Sequence, residues 1–116
     1  METIIALKTY TSYDVLSDLR KIMKPIWVIK EVRMDYDTRN LPDYRNINSY
    51  PVTLIFDEFG KKITVKILSL SVGYGGTGPN DFSKLLEYFD IPYNEDDIFT
   101  KKAMGSDGFI RLVYYK

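Results

Sequence analysis

Four of the seven glycines in this chain lie within six positions, in the run Gly73-Tyr74-Gly75-Gly76-Thr77-Gly78. Because glycine has no Cβ, successive backbone N–H groups in such a run can point into one concavity and hold an anion. An alternating apolar segment precedes the run and an amphipathic helical pattern follows it, so a helix N-terminus would add partial positive charge. The run therefore predicts either a small phosphate-binding loop or a plain strand-to-helix turn.

The residues in and just after this run carry the chemistry that a nucleotide needs. The backbone N–H groups at positions 75–77 and the Thr77 hydroxyl would hold phosphate oxygens. Asn80 and Asp81 at the helix start would take base or ribose hydroxyls, and Tyr74 would stack on the base. The predicted ligand contacts in this region are Tyr74, Gly75, Gly76, Thr77, Gly78 and Asn80.

The spacing also matches the dinucleotide-binding pattern G-x-G-x-x-G, with acidic residues 95–97 near the place where its ribose ligand is expected. Three features argue against that fold. The preceding strand is predicted as the second arm of a hairpin, too little chain follows for a doubly wound sheet, and Pro79 removes one N–H donor. A P-loop is disfavoured as well, because the Gly-Lys-Ser/Thr ending is missing. The expected site is a local cradle that belongs to neither fold.

The chain contains neither histidine nor cysteine, which removes the commonest general base, the commonest transition-metal ligand and every thiolate. We therefore expect a non-enzymatic binding protein without a cofactor or a metal site, although catalysis by Asp, Tyr or Lys stays open. The acidic cluster at Asp90 and residues 95–97 lacks EF-hand spacing and is expected to be a solvated loop. The absence of cysteine also favours a cytoplasmic location.

Sixteen basic and sixteen acidic side chains cancel, so no strong generic affinity for nucleic acid is expected. No apolar run approaches the roughly 20 residues that a membrane span needs, and the first residues lack the basic and apolar regions of a signal peptide. Tyrosine is unusually frequent, with ten residues, and it is enriched both at binding surfaces and in half-buried strands.

Hydrophobic periodicity predicts one α+β domain over residues 1–116, a mostly antiparallel sheet with two helices packed on it. The first helix is expected to begin near Ser12 and to end at Lys24-Pro25. The apolar stripe of the second helix consists of Phe82, Leu85, Leu86 and Phe89. The predicted strands are residues 3–10, 26–34, 52–56, 63–72, 98–104 and 109–115.

Two further features lie outside the glycine run. Residues 35–51 form a long polar stretch with three tyrosines and two arginines, which could clamp a ligand or form a protein-binding surface. Arg111 alternates with Phe109 and Val113 along the last strand, so it needs a partner, either a protein carboxylate or a ligand.

The glycine run with Pro79 and the following Phe82-x-x-Leu85-Leu86 resembles segments of small phage-encoded proteins, most closely the Thoeris anti-defence sponges. Those proteins sequester cyclic ADP-ribose-type signals, are oligomeric and do not degrade the ligand. The resemblance implies that Phe82 stacks on a base, that Arg111 contacts a phosphate and that the chain forms a homo-oligomer. The helical periodicity instead places Phe82 in the core.

Two hypotheses of different class follow from these observations. The first is non-enzymatic sequestration of a small phosphorylated nucleotide signal, as in a phage anti-defence protein. The second is a protein-binding inhibitor or immunity-type protein that uses the stretch 35–51, with Tyr36, Tyr44 and Arg45 as contacts.

Overall fold

A computed structural model describes residues 2–116 of the chain, which form one five-stranded sheet and three α-helices. The strands are β1 (Glu2–Leu7), β2 (Val28–Asp37), β3 (Val52–Glu58), β4 (Lys61–Ile67) and β5 (Phe109–Tyr115). The helices are α1 (Val15–Ile22), α2 (Thr77–Tyr88) and α3 (Glu95–Phe99). The sheet is mostly antiparallel and the helices share one core with it, so the predicted α+β class is confirmed.

The strand order across the sheet is β1-β4-β3-β2-β5, in which β1 and β4 run parallel and the other neighbouring pairs run antiparallel. The parallel register begins with Glu2 opposite Lys62 and continues to Leu7 opposite Ile67. The carboxyl ends of β1 and β4 therefore lie side by side, and a helix follows each of them. In open α/β sheets the carboxyl ends of parallel strands commonly border ligand sites, and β1 with β4 is the parallel pair of this mostly antiparallel sheet.

Side chains alternate along the strands, so one face of the sheet is buried against the helices. On β3, Val52, Leu54 and Phe56 are buried, while the residues between them are only partly covered. The stripe predicted for the second helix enters the same core from α2, with Phe82, Leu85, Leu86 and Phe89 all buried. Burial of each such side chain contributes about 1.5–3 kcal/mol relative to exposure.

The predicted strand over residues 98–104 is wrong, because this segment is helical. α3 ends at Phe99, and a 3-10 turn follows over Lys101–Ala103. The Asn94 side chain caps α3 by accepting a 2.9 Å hydrogen bond from Asp96 N, and the acidic first turn suits the positive end of the helix. An asparagine cap followed by three acidic residues is a helix-start signal, and it prevails over the apolar residues that follow.

Several strand boundaries also differ from the sequence prediction, including that of β1, which ends at Leu7 rather than at residue 10. β4 ends at Ile67, and residues 68–76 continue without regular secondary structure. β2 reaches Asp37 because it pairs with β5 through that residue, so the irregular loop before β3 is shorter than expected. The predicted hairpin between β3 and β4 is confirmed, with Phe59 and Gly60 both at positive φ in its turn.

Candidate functional site

A cleft of about 670 Å³ opens where β1 and β4 end side by side. Its walls are residues 10–13 after β1, residues 68–71 after β4, the loop residues Leu41, Pro42 and Tyr44, and Tyr74, Thr77 and Gly78. We name it the tyrosine cleft after four of these: Tyr10, Tyr13, Tyr44 and Tyr74. The parallel pairing of β1 with β4 brings segments that are distant in sequence to one place.

The four tyrosines provide the cleft with flat walls that also carry hydroxyl groups. Tyr10 and Tyr13 are 75% and 72% exposed, and Tyr44 and Tyr74 are about half exposed, so their rings are accessible to a ligand. Such rings offer stacking faces and hydrogen-bonding hydroxyls, which suit a planar base. The sequence predicts Tyr74 at this site but not Tyr10 and Tyr13. These two reach the cleft through the pairing of β1 with β4, which has no signature in adjacent residues of the sequence.

Two helical segments begin at the cleft. A 3-10 turn at Ser12–Asp14 leads into α1, and α2 begins at Thr77. The N-cap of α2 is Gly76, and within the described residues no side chain caps this first turn. Uncapped backbone N–H groups at the positive end of a helix favour an anion.

Two glycines of the run are required by the turn itself. Gly73 has a φ of 101°, which favours glycine, and its N–H donates a 2.7 Å hydrogen bond to Ile98 O. A Cβ on Gly78 would overlap Ser71 Oγ and would lie 2.9 Å from the Tyr74 hydroxyl. The hydroxyls of Ser71 and Tyr74 are themselves 2.7 Å apart. Gly78 therefore permits close packing of α2 against the segment that follows β4.

Gly75 and Gly76 are both exposed and lie outside the residues that line the cleft, but they border Tyr74 and Thr77 in sequence and remain candidates for backbone contact with a ligand. A Cβ on Gly75 would meet no atom of the described chain within 4 Å, so its backbone borders open space. A Cβ on Gly76 would lie 2.7 Å from Tyr74 Cε2. Gly76 thus allows the Tyr74 ring to lie across the run.

The structure brings together part of the ligand-binding set predicted from sequence. Tyr74, Thr77 and Gly78 line the tyrosine cleft. Asn80 is exposed in the first turn of α2 and lies outside the residues that line the cleft. Its backbone N–H donates a 3.1 Å hydrogen bond to Gly76 O, within the helix.

Phe82 and Arg111 lie away from the cleft. Phe82 is fully buried, with its ring centroid 6.3 Å from that of Tyr114, so no face is exposed on which a base could stack. Arg111 is exposed on β5, where its NH2 group lies 3.1 Å from Asp107 Oδ2 and its guanidinium lies 4.8 Å from the ring centre of Phe109. A protein carboxylate is therefore the partner that Arg111 has in this fold.

The three tyrosines of the stretch 35–51 lie in three different environments. Tyr44 lines the cleft, whereas Tyr50 is buried and donates a 2.6 Å hydrogen bond to Tyr44 O, which anchors the loop. Tyr36 belongs to β2, and its hydroxyl lies 3.2 Å from Val72 O. Burial raises the pKa of Tyr36. Tyr36 therefore connects the sheet to the segment before the glycine run.

Among residues 2–116, no group of three or more His, Cys, Asp or Glu residues is placed to hold a metal ion. Within the same range, every helix falls short of the length and hydropathy that a bilayer crossing requires. No protein-family model, no curated protein and no solved structure matches this chain. The geometry of the tyrosine cleft is therefore the main indication of function.

Proposed function

We propose that this protein binds a small phosphorylated nucleotide in the tyrosine cleft and does not transform it. The observation that carries the proposal is the position of the cleft. It lies where two parallel strands end together, with the N-termini of two helical segments and four accessible tyrosines around it. Helix N-termini favour phosphate, and tyrosine rings favour a base, so the two parts of a nucleotide have matching surfaces.

The phosphate is proposed to bind at the start of α2. The N–H groups of Gly75, Gly76 and Thr77 and the Thr77 hydroxyl are the donors, and the exposed backbone of Gly75 leaves room for approach. Lysine and arginine are absent from the described lining of the cleft. Affinity for the phosphate would therefore come from backbone donors and the helix dipole.

The base is proposed to stack between tyrosines of the cleft. Tyr74 is adjacent in sequence to the proposed phosphate donors, and Tyr10 and Tyr13, which follow β1, line the same cleft. The hydroxyl of Tyr74 is already oriented by Ser71, at 2.7 Å. In this proposal the cleft tyrosines, rather than Phe82, stack on the base. The donors at the start of α2, rather than Arg111, contact the phosphate.

Sequestration is the biological role that we propose for this binding. It agrees with the resemblance of the glycine run to anti-defence sponges, which hold a signal nucleotide without degrading it. The described residues that line the cleft include no acidic side chain and no lysine. The commonest general acids and bases, His, Asp, Glu and Lys, are therefore missing from the described lining, and tyrosine is its titratable residue type, so we propose binding rather than turnover.

A thermal-shift panel of mononucleotides, dinucleotides and cyclic dinucleotides tests this proposal. A ligand that binds only the folded state stabilises it by mass action, by about 2.7 kcal/mol at a hundredfold excess over Kd. Tyr74→Ala should abolish the shift, whereas Tyr115→Ala, an exposed tyrosine on β5 outside the cleft, should keep it. Mass spectrometry should recover the ligand intact. A panel in which no compound raises the melting temperature would refute the proposal, and a consumed ligand would refute sequestration.

A protein-binding function is the second candidate, and one observation favours it. Leu41 is 94% exposed and lies beside Tyr44 on the rim of the cleft, where a partner protein could cover both. A partner captured from a host extract should be lost with Leu41→Ser and retained with Tyr13→Ala. If both variants retain the partner, the loop is not its contact surface.

A further inference from the structure

A second cavity, of about 400 Å³, lies on the face of the sheet opposite the core. Three of its lining residues form one row across three neighbouring strands, because Arg33 on β2 pairs with Thr53 on β3, which pairs with Lys66 on β4. Adjacent strands lie about 4.8 Å apart, so the two cationic residues start about 10 Å from each other across the row. The loop residue Asn48 also lines this cavity.

The charges around this row leave Lys66 without a counter-ion. Arg33 NH2 lies 2.9 Å from Glu31 Oε2 in an ion pair, and Asp37 in the cavity wall is paired with Arg39 at 2.9 Å. Over residues 2–116, no carboxylate lies within 4.0 Å of Lys66 Nζ. The Lys66 ammonium donates a 2.8 Å hydrogen bond to Thr53 Oγ1.

The remaining acidic residue of the cavity wall is Asp35, which stands opposite Arg111 in the pairing of β2 with β5. It faces a cation there as well, so it does not neutralise Lys66 alone. Burial and the nearby Arg33 lower the pKa of Lys66, and Asp35 opposes that effect. The row therefore has a deficit of negative charge at Lys66.

The same row carries hydrogen-bond donors that the protein leaves unused. Arg33 Nε is buried and has no acceptor among the described residues, although Glu31 Oε2, which lies 2.9 Å from Arg33 NH2, is likewise buried without a hydrogen-bond partner. The Lys66 ammonium has three donors, of which one is directed at Thr53. Because the Thr53 hydroxyl accepts from Lys66, its own proton is available for another acceptor. The three residues come from three neighbouring strands and all line this cavity.

We propose that this row is a binding site for one small oxyanion, a carboxylate or a phosphate group, held between Lys66 and Arg33 with Thr53 between them. The anion would supply the missing negative charge and accept the unused donors, and charge-assisted hydrogen bonds of this kind are the strong ones. Leu41 and Pro42 line both this cavity and the tyrosine cleft, but Arg33, Thr53 and Lys66 lie outside the cleft lining, and the proposal does not depend on nucleotide binding.

Titration with sodium phosphate and, separately, sodium acetate tests the proposal, with sodium chloride at matched ionic strength as the reference. The melting temperature should rise saturably with at least one oxyanion beyond the chloride reference. Lys66→Met should weaken the apparent affinity at least tenfold. Lys62→Met is the matched control, because Lys62 lies on the same strand and the same face but is exposed beside Glu2. Its response should equal that of the unmodified protein.

The two titrations distinguish the sources of the anion, since a response to phosphate or to acetate identifies the group that the site accepts. NMR spectra of the unmodified protein keep the test independent of any variant's folding. The amide signals of Thr53 and Lys66 should move, whereas movement confined to residues 75–78 would report the helix N-terminus instead. No saturable response to either anion, or an unchanged response in Lys66→Met, would overturn the proposal.

Discussion

The Ser12 hydroxyl donates a 2.7 Å hydrogen bond to Asp81 Oδ2. Ser12 begins the turn that leads into α1, and Asp81 lies in α2, so this bond joins the two helical segments that begin at the tyrosine cleft. The contact is partly buried, which protects it from water. It holds two walls of the proposed site in a fixed relation.

Ser12→Ala should therefore lower the free energy of unfolding by about 1–2 kcal/mol, because a hydrogen bond to a charged acceptor is lost and the carboxylate keeps its desolvation cost. Urea denaturation monitored by circular dichroism measures the change. Ser17→Ala on the exposed face of α1 is the control and should not destabilise the protein. Equal stability of the Ser12 variant and the unmodified protein would show that the contact does not join the helices in solution.

Gly78→Ala should destabilise the protein by about 1–3 kcal/mol, since the new methyl group would overlap Ser71 Oγ. A second substitution, Ser71→Ala, removes that oxygen and leaves Ser71 Cβ at 3.4 Å from the added carbon. The Tyr74 hydroxyl, 2.9 Å from the added carbon, ends a side chain that loses its Ser71 partner and can shift, so the double variant should recover much of the lost stability. Additive losses in the two variants would contradict the close approach of α2 to the segment after β4.

Thr77→Val should weaken nucleotide binding about tenfold without lowering stability, because it removes one hydroxyl donor to the phosphate and keeps the shape of the side chain. Isothermal titration calorimetry with the ligand found in the panel measures the affinity. Thr3→Val, at an exposed threonine on β1 outside the cleft, should bind as the unmodified protein does. Equal affinities in the two variants would remove Thr77 from the phosphate site.

Tyr114 makes stability depend on alkaline pH. Burial raises its pKa to about 12, against 10.0 for the free side chain, so folding favours the neutral phenol. The corresponding stability is present below pH 10 and is lost as the pH rises towards 12. Its hydroxyl is also buried without a hydrogen-bond partner in the described chain. Tyr114→Phe should therefore raise the free energy of unfolding by up to about 1 kcal/mol near neutral pH.

Comparison of unmodified protein and Tyr114→Phe by urea denaturation at about pH 8 and about pH 11 isolates this group. The advantage of the variant should grow at the higher pH. Tyr36, Tyr50 and Tyr93 also have raised pKa values, but they are present in both proteins and cancel in the difference. A difference that does not change with pH would show that Tyr114 titrates normally.

Local patterns in the sequence predict much of this fold. The apolar stripe that begins at Phe82 defines α2, and acidic residues with Gly60 define the hairpin between β3 and β4. The cap at Asn94 is also local, yet the apolar residues after it favour a strand and conceal the short helix α3. The helical stripe predicts the buried position of Phe82, whereas the resemblance implies that it stacks on a ligand. A residue at a core position has no exposed face for a ligand.

Only one wall of the tyrosine cleft could be predicted from the sequence. The glycine run indicates one wall, because the turn that it forms depends on residues that are adjacent in the sequence. The other wall, around Tyr10 and Tyr13, depends on the parallel pairing of β1 with β4, which is a long-range contact without a local signature. The row formed by Arg33, Thr53 and Lys66 has the same origin, because strand register alone brings these residues together.

An NMR titration of isotope-labelled protein with the nucleotide panel is a direct test of nucleotide binding in the tyrosine cleft. One phosphorylated nucleotide should move the amide signals of residues 75–78 at the start of α2 together with those of residues 10–13 in the lining of the tyrosine cleft. The signals of β5 around Arg111 should stay in place. If no nucleotide moves these signals, or if the changes lie elsewhere on the protein, the cleft is not a nucleotide site.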